Sequence, residues 1–229
     1  MSSITIACLD MAGTTIADDG SVLAAFSAAL ARFGPAEDTP AYAEAMRTVH
    51  ATMGQSKIDV FRQILGDDAT AWQANEVFEE RYSDAVAAGQ VSALPGAVDT
   101  ITQLSGAGVQ ICLLTGFSPA TRDTIIDMLG WPPLIDLALS PADAGRGRPW
   151  PDLPLTALLR LGGGAVSELA VAGDTPSDIE SGRRAGAGLV AGVLTGRTTR
   201  DEFEAAKAPH VLDSVADLLP LAGVTASQD

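Results

Sequence analysis

Two hydrophobic periods divide the chain. Ser3 to Leu9 is a short, nearly continuous apolar run of the length expected for a buried strand. From about Ala17 to Ala93 the apolar positions recur at helical spacing instead. Val22 to Phe33 stops at Gly34-Pro35, and Tyr42 to Met53 runs up to Gly54. A third helix is predicted from Lys57, with Ile58, Phe61, Ile64 and Leu65 on one side and Gly66 at its end, and a fourth passes through Trp72, Val77, Phe78 and Tyr82. Leu94-Pro95-Gly96 then punctuates the chain and predicts a hinge. Beyond it, helix and strand patterns alternate. Val98 to Leu104 reads as a helix, while Val109 to Leu114, broken only by Gln110, Leu169 to Ala172 and Leu189 to Leu194 read as buried strands.

Short buried strands separated by helices predict a parallel sheet with right-handed crossovers. The predicted organisation is therefore one α/β core, residues 1–17 and 94–229, interrupted by an all-helical insert, residues 18–93. Thr225 to Asp229 read as a frayed end.

Composition narrows the classes of partner. With 229 residues, 47% hydrophobic, the chain is long enough for one large core plus a smaller inserted module. A formal net charge of -15 argues against nucleic acid or an anionic membrane surface as the main partner, and an anionic substrate would need a locally positive site. No apolar run approaches the roughly 18 residues of a membrane span, and no basic segment leads into an apolar signal core, so a cytoplasmic location is expected. Cys8 and Cys112 each lie inside a strand-like run and read as small core residues, without a disulfide or zinc site.

Candidate chemistry collects at the carboxyl ends of the predicted strands, where open parallel sheets place their ligands. Cys8-Leu9-Asp10-Met11-Ala12-Gly13-Thr14-Thr15 ends the first strand with a carboxylate, a glycine for a tight turn, and two hydroxyls able to meet an anion. Thr115-Gly116 follows the second. Arg146-Gly147-Arg148-Pro149-Trp150-Pro151 is a stiff loop carrying two planar, phosphate-suited guanidinium groups. Gly173-Asp174-Thr175-Pro176-Ser177-Asp178 follows a further strand. Thr175 reads as a helix N-cap with Pro176 at the first helical position and Asp178 as a capping side chain, whereas Asp174, between strand and cap, is a hard oxygen ligand of the kind that gathers around Mg²⁺.

Asp10-x-Ala12-Gly13-Thr14, Thr115-Gly116, Arg148 and Gly173-Asp174-x-x-x-Asp178, in that order, resemble the haloacid dehalogenase superfamily of phosphoryl-transfer enzymes. The resemblance implies a Rossmann-like core with a helical cap domain. It implies that Asp10 is a nucleophile forming an aspartyl phosphate, that Thr115 holds phosphoryl oxygens and that Arg148 neutralises charge. Asp10, Asp174 and the carbonyl of Ala12 would bind Mg²⁺, supported by Asp178. Substrate contacts are expected at Met11, Gly13, Thr14, Met53, Gly54, Gly116 and Phe117, and a homodimer through the caps is expected by analogy.

Ala12 departs from the family's phosphatases, which carry a second aspartate there to protonate the leaving alkoxide. Loss of a general acid forfeits roughly 10²- to 10⁴-fold in rate. The Asp-x-Ala-Gly-Thr form with arginine in place of lysine is similar to the phosphonoacetaldehyde hydrolase branch, which cleaves a carbon-phosphorus bond through a cap lysine. Met53-Gly54-Gln55-Ser56-Lys57-Ile58-Asp59 resembles the segment holding that lysine and points to Lys57. Ser56 as N-cap and Asp59 at the third helical position place Lys57 in a first helical turn, where the positive helix end disfavours the ammonium form.

The expected substrate is a small anionic organophosphorus compound, phosphonoacetaldehyde or a close relative. Val60 and Phe117 stand where that branch usually has histidine and tyrosine, and His50 on the preceding helix is a candidate replacement base. A phosphatase acting on a small phosphate monoester is the alternative. A metal-independent haloacid dehalogenase and a non-catalytic binding protein are further alternatives.

Overall fold

The computed structural model describes residues 3–224; the expectation for Thr225 to Asp229 lies outside the described residues. The chain forms β1 (Ile6–Asp10), β2 (Ile16–Ala17), α1 (Ser21–Phe33), α2 (Pro40–Ala51), α3 (Lys57–Leu65), α4 (Asp68–Ala87) and β3 (Ser92–Ala93). It continues through α5 (Ala97–Gly106), β4 (Gln110–Leu114), α6 (Pro119–Met128), β5 (Leu137–Leu139), α7 (Pro141–Ala144) and α8 (Asp152–Arg160). Then follow β6 (Leu169–Gly173), α9 (Pro176–Ala185), β7 (Leu189–Val193), α10 (Arg200–Ala205), β8 (His210–Leu212) and α11 (Leu218–Leu221).

Six strands pair in parallel in the order β5-β4-β1-β6-β7-β8. β1 is central because its five residues are all buried, so both faces of the strand must be covered. Alternate residues divide between the faces. Ala7 and Leu9 join the larger hydrophobic cluster, and Ile6 and Cys8 join a second one with Leu153, Ala157 and Leu158 of α8. Cys8 and Cys112 are register partners across β1 and β4, both buried free thiols, as expected for core residues.

From β1 the chain moves first to β4 and β5 on one side, then returns to β6, β7 and β8 on the other. The direction therefore reverses around β1. The crevice beside such a reversal is where open α/β sheets bind ligands. Asp10, Thr115 and Asp174 stand at or just beyond the carboxyl ends of β1, β4 and β6.

Three of the four helices after β2, α1, α3 and α4, pack through an aromatic cluster. Phe26 lies 5.0 Å from Phe61 and 4.7 Å from Phe78 by ring centroid. Phe61, Phe78 and Phe26 belong to the same hydrophobic cluster as Leu9 and Met11 of the sheet region. The buried side of α3 is Lys57, Val60 and Phe61, with Ile58, Ile64 and Leu65 half-buried, and Trp72 on α4 is 48% exposed rather than core. Four short elements carry no clear signal in the sequence: edge strands β5 and β8, and the antiparallel pair β2-β3, in which Ile16 faces Ala93 and Ala17 faces Ser92. Among the described residues no helix is long and apolar enough to cross a membrane.

Candidate active site

A cavity of about 580 Å³ opens at the reversal point, between the carboxyl ends of the strands and the helical insert. Asp10, Ala12, Gly13, Met53, Gly54, Lys57, Thr115, Gly116, Phe117, Arg148 and Asp174 all line it, so residues separated by up to 164 positions meet in one place. Two expected contacts are corrected. Met11 is fully buried in the hydrophobic cluster, and its amide donates to the Leu114 carbonyl at 3.2 Å. Thr14 is likewise fully buried and off the cavity wall, with its hydroxyl unpartnered. Thr15 also turns inward: its hydroxyl donates to the carbonyls of Asp10 at 2.9 Å and Met11 at 3.3 Å, and holds the turn after β1 rather than offering itself to an anion.

Arg148 is the electrostatic centre. Its Nη1 donates to Asp10 Oδ1 at 2.5 Å and also to Asp178 Oδ1. Asp178 lies behind the cavity wall. Its other oxygen accepts from the Thr175 backbone N–H at 3.1 Å and the Thr175 hydroxyl at 2.5 Å, so one carboxylate both caps α9 and anchors Arg148. Burial works against the guanidinium charge, but Asp10 and Asp178 outweigh it and hold Arg148 above the ordinary arginine value. Arg146, the other guanidinium of that loop, points away and pairs with Asp152 at 2.9 Å.

Asp10, Asp174 and Asp178 are three carboxylates no more than 9% exposed, facing this single guanidinium. Burial pushes the Asp10 carboxyl up to about 6, opposed by Arg148 and reinforced by Asp178. Asp174 is likewise raised, by burial and then by Asp10 and Asp178. A Cβ on Gly13 or Gly196 would collide with the Asp174 carboxylate, so the two glycines form a close-fitting cradle that fixes it toward the cavity. The carboxylates outnumber the guanidinium, a deficit that a hard divalent cation offsets. Among the described residues no three His, Cys, Asp or Glu side chains form a metal cage by themselves. Asp10, Asp174 and a backbone carbonyl at Ala12 would leave other positions to water and ligand oxygens, the usual way Mg²⁺ is held.

Thr115 accepts the Phe117 amide at 3.2 Å on its hydroxyl oxygen, leaving the O–H free to donate into the cavity. Lys57 comes from the opposite wall. It begins α3 and is 7% exposed, with Nζ 5.1 Å above the Phe117 ring centroid and 5.9 and 6.0 Å from those of Phe26 and Phe78. Burial lowers its ammonium to about 8, aided by Arg148 and opposed by Asp10, Glu79 and Asp18. The predicted Ser56 cap does not form as a side-chain bond, and Asp59 instead pairs with Arg62 at 2.9 Å. Lys57 is positioned by its own backbone amide, which donates to the Gly116 carbonyl at 3.4 Å, and by aromatic packing.

The insert is pressed onto the core at this point. A Cβ on Gly116 would strike the Gln55 carbonyl, one on Gly54 would lie 2.6 Å from Thr175 Oγ1, and Gly147 packs against Ser56. Glu79 of α4 accepts from the Ser118 hydroxyl at 2.7 Å and from Thr121 at the start of α6, adding a polar clasp.

A family model of haloacid dehalogenase-like hydrolases matches residues 4–186, spanning β1 through α9. The chain belongs to the haloacid dehalogenase-like hydrolases. As a member of this family it is a hydrolase. It is 27% identical over 217 residues to "Probable phosphatase IndB" of Dickeya dadantii, covering 92% of this chain and 90% of that protein. It is also 27% identical over 252 residues to "Phosphonoacetaldehyde hydrolase" of Bordetella pertussis, covering 93% and 88%. Among solved structures, a hydrolase from Pseudomonas syringae superposes with a TM-score of 0.82 at 26% identity, covering 97% of this chain and all of that one.

This hydrolase has further cavity residues that the strand-end motifs do not reveal. Asp18 and His50 line the cavity from the insert, and Thr195, Gly196 and Arg197 line it from the turn after β7. Tyr82 stacks on Phe117 at 4.5 Å with its hydroxyl buried and unpartnered, so burial raises its phenol. The aromatic content of the insert was visible in sequence, but its convergence on Lys57 depends on how α1, α3 and α4 cross.

Proposed function

We propose that this hydrolase cleaves the carbon–phosphorus bond of phosphonoacetaldehyde or a close 2-oxoethylphosphonate. The observation that carries the reading is a buried amine with its pKa lowered to about 8, Lys57, on the same cavity as a strand-end Asp10 whose neighbour two residues on is Ala12 rather than an acid. A buried lysine with a neutral fraction near pH 8 is a competent carbonyl nucleophile. Residues 18–93 act as the cap that delivers it.

Lys57 adds to the substrate aldehyde and loses water to give an iminium. The Asp10 carboxylate attacks phosphorus, and the electron pair of the breaking carbon–phosphorus bond passes into the iminium to form an enamine. No alkoxide departs, so no acid is needed at position 12. Water then hydrolyses the aspartyl phosphate, while protonation of the enamine carbon and hydrolysis of the imine release the aldehyde and free Lys57. The Thr115 hydroxyl binds a phosphoryl oxygen, and Arg148 steadies Asp10 and neutralises phosphoryl charge. Asp178 holds Arg148 and does not meet substrate.

Asp10, Asp174 and the Ala12 carbonyl would hold Mg²⁺, which when bound neutralises phosphoryl charge beside the nucleophile. Mg²⁺ is therefore expected to raise the melting temperature of the wild type and not of Asp174→Asn, in a thermal shift independent of turnover. An equal shift in both proteins contradicts this ligand set.

Borohydride added with phosphonoacetaldehyde should trap the substrate carbon on Lys57, visible by peptide mass mapping. An unmodified Lys57, together with full activity in Lys57→Arg, overturns the reading. A phosphatase is the second reading, favoured by the relative named for that activity and by the Asp18 carboxylate on the cavity wall. Fast hydrolysis of phosphate monoesters that persists in Lys57→Ala selects it instead.

A further inference from the structure

The cavity extends well past the residues used above. At about 580 Å³ it falls in the range of roughly 300–1,000 Å³ that accommodates drug-sized ligands, far beyond a two-carbon oxophosphonate. Its outer part is lined by Asp18, Asp19, Gly20, His50, Arg197 and Glu202.

Arg197 stands out among these. Eight of the other eleven arginines pair with a carboxylate, and of the arginines without an ion pair Arg197 is the one on this cavity. Among the described residues no ion pair or hydrogen bond is formed by Arg197. Two of the acids that share the mouth are already engaged. Glu202 accepts from the Thr199 amide at 2.7 Å and hydroxyl at 2.8 Å at the start of α10, and Asp18 accepts from the amides of Gly20 at 3.3 Å and Val22 at 3.1 Å at the start of α1. Asp19, the remaining carboxylate, forms no ion pair with it.

The turn bearing Arg197 is fixed against the reaction centre. The Thr195 hydroxyl donates to the Gly13 carbonyl at 2.6 Å, and Gly196 packs directly on the Asp174 carboxylate. Arg197 follows at the next position, and the space where a Cβ of Gly20 would stand is 4.0 Å from its Nη2. The same cavity thus carries an unpaired, exposed guanidinium at its mouth and the buried Thr115 and Arg148 in its interior.

We propose that Arg197 recognises a second anionic group, a carboxylate, so that the substrate is an oxophosphonate whose carbon chain also carries a carboxylate. Guanidinium and carboxylate form a bidentate, charge-assisted pair, which suits a terminal carboxylate better than a hydroxyl. The inference rests on the proposed placement of the phosphoryl group near Asp10 and Thr115.

Two inert probes test it by calorimetry on the full chain with Mg²⁺ at constant ionic strength: ethylphosphonate and 2-carboxyethylphosphonate. Neither has an aldehyde or ketone to condense with Lys57, so no turnover is involved. The wild type is expected to bind the carboxylated probe about 10- to 100-fold more tightly. Arg197→Ala should bring that ratio close to one, and Arg197→Lys should keep part of it. Equal affinities in the wild type, or an unchanged ratio in Arg197→Ala, overturn the inference while leaving carbon–phosphorus cleavage intact. Failure of both probes to bind removes the phosphoryl placement itself, and this inference with it.

Discussion

Lys57 shows how far single residues were legible. Its identity and its place in a first helical turn could be read from Gly54-Gln55-Ser56-Lys57, but its chemistry comes from three rings on α1, α4 and the β4–α6 loop, which only folding brings together. Because its pKa is depressed from 10.5 to about 8, the folded state disfavours the ammonium by about 3 kcal/mol. The sign follows: the penalty is complete below pH 8 and is relieved as pH rises from about 8 to 10.5. Lys57→Met should therefore unfold at higher denaturant than the wild type at pH 7, with the difference shrinking toward pH 10; a less stable variant at pH 7 contradicts this assignment. The same titration should appear in turnover. On an oxophosphonate, kcat/KM is expected to climb through about pH 8 as the amine deprotonates, and a flat profile from pH 6.5 to 9 would separate Lys57 from the reaction. Arg148 gives the opposite case. Arg148→Ala leaves Asp10 and Asp178 buried without their shared cation and should destabilise the fold by about 3–5 kcal/mol in urea unfolding, whereas an undiminished midpoint would mean that this ion pairing does not support the fold.

Among elements, the long periodic ones were readable and the short ones were not. β1, β4, β6 and β7 are buried on both faces and so leave continuous apolar runs, while β5 and β8 have three residues each at the sheet edges and leave too little pattern. The strand-end motifs were legible because each follows such a run. Met11 and Thr14 were misplaced because the turn after Asp10 folds back through Thr15, which directs those two side chains into the protein. The contact between the α2–α3 turn and the β4–α6 loop is backbone against backbone, so it tolerates no side chain. Gly116→Ala would drive a methyl group into the Gln55 carbonyl and move Lys57 away from Asp10. Activity should fall about 100-fold with an unchanged far-ultraviolet circular dichroism spectrum, and an active variant would show that this contact is not needed for turnover.

For the whole molecule, a net charge of -15 opposes the approach of the proposed anionic substrate, and the cations of the cavity act only at short range. Added salt screens the long-range repulsion, so kcat/KM should rise by a few-fold between about 10 and 200 mM NaCl, and a decline would indicate that local steering dominates. The reversal of strand order around β1 was implied by the alternating pattern, yet which loops meet across it was not, which is why Arg197 and Asp18 escaped the motifs. The paired strands β2 and β3 add a consequence at this scale. Through Ile16–Ala93 and Ala17–Ser92 they bring the two chain crossings of the helical segment side by side, so its ends are as near to each other as the ends of a hairpin. In evolutionary terms the segment is then a cassette. Its length and lining can drift, or be exchanged wholesale, without altering the register of the six-stranded sheet, leaving ligand choice free to diversify over an inherited floor of strand ends.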